Sequence, residues 1–302
     1  MTATMSLNVS PQTKTIHKAA YPAIAASRPE LSQQGRVVYV TGGSAGIGFA
    51  ICHAFADAQA ATVILTGRRE AALSEAVDTL SKEHPKTKFI GQVLDAADRP
   101  AAEKAWAQLE KDGVLVDVLV LNAAYVTHRQ APLVDLPYEE AWPSWVTNVG
   151  ANYDLIQRFY HQKNRVPGRK LSLVNLSTMA IHAFEQVKAF PAYCASKNAG
   201  TLLVQLFARG VSPDDMQILS FHPGAIWTDS VQKSGVPKEA YAWDDATLAS
   251  NYAVWAASDE AKFLHGRFTW AAWDVEELQS EEFRKRLEEK PTYLQVGVVG
   301  LS

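Results

Sequence analysis

From Arg36 onward, short apolar runs rich in β-branched residues alternate with longer stretches whose apolar positions recur at helical spacing. The short runs are VVYVT (37–41), TVILT (62–66), KFIGQVL (88–94), VDVLVL (116–121), KLSLVNL (170–176) and QILSF (217–221), and each reads as a strand. Between them, FAICHAFADAQA (49–60), EAALSEAVDTLSKEH (70–84), RPAAEKAWAQLEKDG (99–113), a stretch from about 138 to 163, and AYCASKNAGTLLVQLFARG (192–210) read as helices. Strands that alternate with helices pair most economically in parallel, through right-handed crossovers that put helices on both sheet faces. The pattern predicts an α/β doubly wound parallel sheet. Residues 1–34 are polar, include Pro11, Pro22 and Pro29, and hold no sustained period, so an irregular arm laid over the domain is expected there. No internal repeat or linker-like composition interrupts the rest, which predicts one domain over 35–302.

A chain of 302 residues with 47% hydrophobic side chains can bury one sizeable core. Its net charge of -3, with both signs interspersed, offers no basic footprint for nucleic acid and no polybasic arm for a membrane, so the expected partner is a small molecule. The two cysteines, Cys52 and Cys194, have neither metal-ligand nor redox spacing, so no metal is expected and a reducing compartment fits. No apolar run reaches the roughly 18 residues a membrane span needs, and the first residues lack an apolar signal core; a soluble, unprocessed, cytoplasmic protein is expected.

The first predicted strand runs into Thr41-Gly42-Gly43-Ser44-Ala45-Gly46-Ile47-Gly48 and then into a helix. Glycines there let backbone amides approach a pyrophosphate, whose charge a helix N-terminus favours. This TGxxxGxG pattern, with the landmarks that follow it in order, resembles the short-chain dehydrogenase/reductase family. The resemblance implies a Rossmann-type fold with Gly42, Ser44, Gly46, Ile47 and Gly48 at the cofactor. It also implies Asp95 at the adenine, and Asn122 and Ala123 in the place of the family's NNAG turn, where Leu121 and Ala124 depart from the pattern. The second strand ends in Thr66-Gly67-Arg68-Arg69. An acidic residue there would bind a ribose hydroxyl, whereas Arg68 can make a forked contact with a 2'-phosphate, so NADP(H) is expected over NAD(H).

Tyr193 and Lys197 stand four apart on a predicted helix and share one face. A tyrosine is a poor base at neutral pH, but a cation beside it and a helix N-terminus favour phenolate, which makes Tyr193 a candidate general acid/base. The resemblance adds Asn148, as anchor of a water linking Lys197 to solvent, and a hydroxyl that holds the substrate oxygen. That hydroxyl belongs to Thr178 or, failing it, Ser177. His222-Pro223-Gly224-Ala225-Ile226-Trp227-Thr228 resembles the family's PG motif, which implies Pro223, Ile226 and Thr228 at the carboxamide.

Residues 229–248 fall where the family places a lid. Trp227, Tyr241, Trp243, Phe184 and Phe190 either line a wide aromatic pocket for a bulky cyclic ketone or alcohol, or pack the lid down. Trp255, Phe263, Phe268 and Trp270 read as core, and His128 and His182 flank the expected mouth. The two ends of the chain resemble a fungal subgroup serving secondary-metabolite biosynthesis, and the family implies a homodimer or homotetramer. The expected activity is hydride transfer between NADP(H) and a carbonyl or secondary alcohol. The alternative is an isomerase, epimerase or cyclase that binds the same cofactor without net redox.

Overall fold

The computed structural model describes residues 12–127, 129–184, 190–233 and 235–298. Seven parallel strands form one sheet in the order β3-β2-β1-β4-β5-β6-β7. They are β1 Val37–Val40, β2 Thr62–Gly67, β3 Lys88–Val93, β4 Val118–Leu121, β5 Leu171–Leu176, β6 Met216–His222 and β7 Arg267–Trp270. The six predicted runs are all strands, and β7 is an addition that the sequence pattern did not single out.

Alternate residues along the central strands serve two separate cores, which is why those strands are apolar almost throughout. Val38, Val40, Val63 and Leu65 face one core together with Ile51 and Phe55 of α1 (Gly46–Asp57) and Tyr252 and Trp255 of α8 (Ala246–Ala256). Tyr39, Ile64, Leu119 and Leu121 face the other. There they meet Trp106 of α3 (Arg99–Lys111), Phe159 of α5 (Asn152–Tyr160) and Val204 of α6 (Pro191–Arg209). Helix α2 (Glu70–Glu83) lies in the β2–β3 connection and α4 (Tyr138–Trp145) in the β4–β5 connection, and α7 (Asp229–Lys233), α9 (Val275–Leu278) and α10 (Glu281–Glu289) belong to the C-terminal third. Trp255, Phe268 and Trp270 are buried, and Phe263 is partly buried against the first core.

The polar N-terminal segment is tied down by a few well-placed groups. Ile24 and Leu31 are fully buried, and Tyr21 receives the Val275 amide on its hydroxyl (2.9 Å) while donating to the Trp273 carbonyl (3.1 Å). His17 stacks on Tyr21 and bonds Asp274 at 2.7 Å. At the other end, the Phe268 amide donates to the Leu294 carbonyl (2.8 Å) and the Val296 amide to Gln205 Oε1 (2.9 Å), so residues 294–296 lie along β7 and α6. None of the helices in the described residues is long and apolar enough to cross a membrane.

Sheet order reverses between β1 and β4, because successive crossovers run one way from β1 to β3 and the other way from β4 to β7. The loops leaving β1 and β4 therefore part, and a crevice opens between them at the carboxyl edge of the sheet.

Candidate active site

The glycine turn after β1 is packed to the limit on its inner side. A Cβ at Gly48 would lie 2.2 Å from the Gly42 carbonyl oxygen and 2.5 Å from Asn122 Nδ2, and Gly42 itself has φ +67°. The turn can close only with glycine at these positions. Asn122 then ties the two diverging loops together: its Nδ2 donates to the carbonyls of Thr41 (2.9 Å) and Gly42 (3.1 Å). Thr41 Oγ1 accepts the amides of both Asn122 and Ala123 (2.9 Å each), anchoring the turn in which Leu121 and Ala124 replace the expected asparagine and glycine.

Between the loops lies a cleft of about 330 Å³ lined by Gly42, Ser44, Gly67, Arg68, Asp95, Asn122, Ala123, Tyr125 and Ser230, among others. Ala45, the residue before α1, offers no side-chain cap, so the first amides of the helix face the cleft without one. Glycines, uncapped amides and a helix N-terminus together suit a pyrophosphate. Arg68 and Asp95 stand at the rim, 3.9 Å apart and both largely exposed, a loose pair that leaves the guanidinium able to turn toward another anion. Gly46 packs against Thr228, and Ile226 is buried beside it in the chain following Pro223.

On the other side of the crevice, β5 ends in extended backbone at Thr178 (φ −161°, ψ 153°), where consecutive side chains point to opposite sides. Ser177 Oγ turns inward and is engaged with Thr201 Oγ1 at 2.5 Å. The Thr178 hydroxyl accepts the Ala180 amide at 3.2 Å and lies close enough to the Tyr193 phenol to favour its ionised form. Only one of the two candidate hydroxyls therefore meets the tyrosine.

Tyr193 and Lys197 lie on α6 as the four-residue spacing predicts, but their electrostatics differ from the sequence expectation. Burial pushes the phenol up to about 12, with the Thr178 hydroxyl pulling the other way. Burial brings the Lys197 ammonium down to about 8. Lys197 Nζ donates to the Leu176 carbonyl at 2.5 Å, at the end of β5. In the chain by itself desolvation outweighs the help expected from the ammonium, and Tyr193 is held as a proton donor.

Asn148 reaches this group through a π-helical turn, Val146–Ala151, inserted between α4 and α5. Such turns re-aim a residue that a regular helix would leave on its flank. Asn148 Oδ1 accepts the Tyr125 amide (2.9 Å), and its Nδ2 donates to the Tyr125 carbonyl and to Ser196 Oγ (3.0 Å each). One side chain thus joins the cleft wall at Tyr125 to the helix carrying Lys197. The Asn148 carbonyl lies 2.5 Å from where a Cβ on Gly200 would be, so α6 approaches the π turn this closely only with glycine at that position.

Several features of the site had no sequence signal: the π turn, the clamp on Tyr125, and Asp244, whose Oδ2 accepts the Ala225 amide at 2.8 Å and holds the Pro223-Gly224 turn. His222, which opens the Pro223-Gly224 motif, has its Nδ1 buried without a partner, and burial drives the ring to about 3, so it is a neutral group beside Trp270. Trp227, Trp243 and Tyr241 pack ring against ring at 5.0 and 5.1 Å, Phe184 is exposed and Phe190 is partly buried. His182 is beside Phe268 and Trp270, whereas His128 lies outside the described residues.

A doubly wound sheet with a glycine cradle at its switch point, facing a Tyr-Lys helix, defines a nucleotide-binding α/β protein of the dehydrogenase type. The sequence model of the short chain dehydrogenase family matches residues 36–238, and the chain belongs to that family of nicotinamide-dependent oxidoreductases. It is 33% identical over 287 residues to the short chain dehydrogenase/reductase AacuD of Aspergillus aculeatus, covering 95% of this chain and 96% of the relative. It is equally similar, 33% over 296 residues and the same shares of each chain, to the short chain dehydrogenase/reductase nsrO of Aspergillus novofumigatus. Among solved structures it resembles a 3-oxoacyl (acyl-carrier-protein) reductase of Agrobacterium tumefaciens with NADP bound. The TM-score is 0.68 at 22% identity, covering 80% of this chain and 96% of that one. The L-sorbose reductase of Gluconobacter frateurii complexed with NADPH and L-sorbose has a TM-score of 0.67 at 19% identity, with the same coverage. At these identities the two structures speak for the fold.

Proposed function

We propose that this chain is an NADP(H)-dependent reductase that acts on the carbonyl of a bulky, largely apolar substrate, with Tyr193 as the acid. The observation that carries the reading is Asn148, whose side chain ties the cleft wall at Tyr125 to Ser196 on the helix that carries Tyr193 and Lys197. Gly42, Ser44, Gly46, Ile47 and Gly48 would hold the pyrophosphate, Asp95 the adenine, Asn122 and Ala123 the adjoining ribose, and Pro223, Ile226 and Thr228 the carboxamide. Bound there, the dihydronicotinamide supplies a hydride equivalent to a carbonyl carbon. Thr178 and Tyr193 hold the carbonyl oxygen from two sides, and Tyr193 delivers its proton as charge builds on that oxygen. Asn148 and Lys197 bound the route by which the phenol recovers a proton. In reverse the same groups oxidise a secondary alcohol.

Arg68, free of a tight partner, is the residue that selects the 2'-phosphate. Arg68→Ala is expected to weaken NADPH binding about 10- to 100-fold and NADH binding little, measured by fluorescence titration; equal losses for both would remove the preference. We take the substrate to be a cyclic intermediate of a secondary-metabolite pathway, a reading the relatives from Aspergillus support, and we place the protein in the cytoplasm. The assembly we propose is a homodimer or homotetramer, because Tyr153 on α5 and Leu202 and Leu206 on α6 are large apolar side chains left exposed.

A further inference from the structure

The C-terminal ends of α1 and α2 bring together four groups that the reductase reading does not use. His53 Nδ1 and His84 Nε2 lie 2.9 Å apart, in a chain separation of 31 residues. Glu83 Oε2 is 3.2 Å from His53 Nε2, and Asp57 Oδ1 is 3.6 Å from His84 Nδ1. Donor atoms of His53, Glu83 and His84 all lie within 4.8 Å of one another. The rings are braced on their apolar sides: Phe49 meets His53 edge-on at 4.8 Å, and Phe89 lies beside His84 at 6.3 Å. His53 follows Gly46 by seven helical residues, which sets it about 10 Å along the α1 axis from the glycine cradle.

We propose that His53, Glu83 and His84 form a binding site for a zinc-class divalent cation that staples α1 to α2. Two imidazole nitrogens around a tetrahedral ion with bonds of about 2.0–2.1 Å stand about 3.3 Å apart, so the present spacing has only to open by a few tenths of an ångström. Two imidazoles and one carboxylate are a donor set for zinc, or for copper, nickel or cobalt, rather than for magnesium or calcium. Glu83 now faces the other nitrogen of His53, so its exposed side chain swings around that ring to join His53 Nδ1 and His84 Nε2 at the ion, and water completes the coordination. Asp57 supplies the carboxylate that orients the far nitrogen of a ligating histidine. Cysteine spacing could not reveal such a site, because its donors meet only when α1 and α2 pack.

The test is a calorimetric titration of the untagged full chain with zinc chloride, together with thermal unfolding in the presence of zinc and after chelation. One zinc per chain and a rise in Tm of about 3–6 °C at saturating zinc are expected. Both are lost in His53→Gln/His84→Gln, and affinity falls about tenfold in Asp57→Asn. Glu83→Gln, at an exposed side chain, keeps the test decisive should the histidine variant fail to fold; it too must lose affinity while NADPH turnover is unchanged. No saturable one-to-one binding by the unaltered chain, or the same binding in Glu83→Gln as in the unaltered chain, would overturn the proposal.

Discussion

Ser177 and Thr178 are neighbours with the same functional group, and extended backbone sends their hydroxyls to opposite sides. The Ser177 hydroxyl is spent on Thr201, and the Thr178 hydroxyl meets the Tyr193 phenol. Thr178→Ala is therefore expected to lower kcat about 10²- to 10³-fold in steady-state assays, by the loss of one oxyanion contact, while Thr178→Ser keeps most of it. Ser177→Ala should cost about 1 kcal/mol of stability and little rate; the opposite ranking would move the role to Ser177. Lys197 carries a pH signature. Its folded value, about 8, lies below the ordinary 10.5, so below pH 8 the folded state bears the full cost of a buried charge, and that cost fades as pH rises toward 10.5. Lys197→Met is expected to stabilise the fold at pH 7 by about 1–3 kcal/mol, the gain disappearing by about pH 10.5, while activity is lost. Denaturant titrations at the two pH values check it, and a gain independent of pH would contradict the assignment.

Helices and strands were readable in the sequence wherever an element had to bury apolar groups on a fixed period. The central strands β1, β2, β4, β5 and β6, buried on both faces, left short apolar runs, and edge strand β3 was still marked by Phe89, Ile90 and Val93. β7 did not stand out, because RFTW mixes polar and aromatic residues at a sheet edge and takes its burial from Ala271, Trp273 and the C-terminal segment. The π turn was equally silent: a one-residue change of helical phase leaves no mark on composition, yet it aims Asn148 at Tyr125. The Tyr-Lys pair was legible as a spacing, but its titration was not, since desolvation depends on what other elements pile against α6. The same helix argues for association. Leu206 and Tyr153 are each about half exposed, at 54% and 50%. Leu206→Glu is expected to shift the chain to monomer at micromolar concentration, seen by light scattering; a monomeric unaltered protein would end the argument.

Taken whole, the molecule is a sheet whose topology opens one crevice and fills its edges with chemistry. The turn after β1 supplies the cradle, the loop after β4 its far wall, β5 the hydroxyl, α6 the phenol and the ammonium, and the chain after β6 closes against Gly46. These parts come from residues more than 180 positions apart, and Asn122 and Asn148 are the cross-links that fix the distances between them. The C-terminal tail braces the β7 side, and the N-terminal segment ties β7 to the chain after β6, where Lys18 bonds Ala242 and the Asp244 that holds the Pro223-Gly224 turn. The central claim is that hydride passes to a carbonyl whose oxygen is protonated by Tyr193. Its most direct test is single turnover of C4-deuterated NADPH with a panel of cyclic aromatic ketones, comparing the unaltered chain with Tyr193→Phe. The account predicts deuterium on the carbinol carbon, with a rate about 10²- to 10⁴-fold lower in the variant and NADPH affinity nearly unchanged; product formed without label, or equal rates in the two proteins, would contradict it.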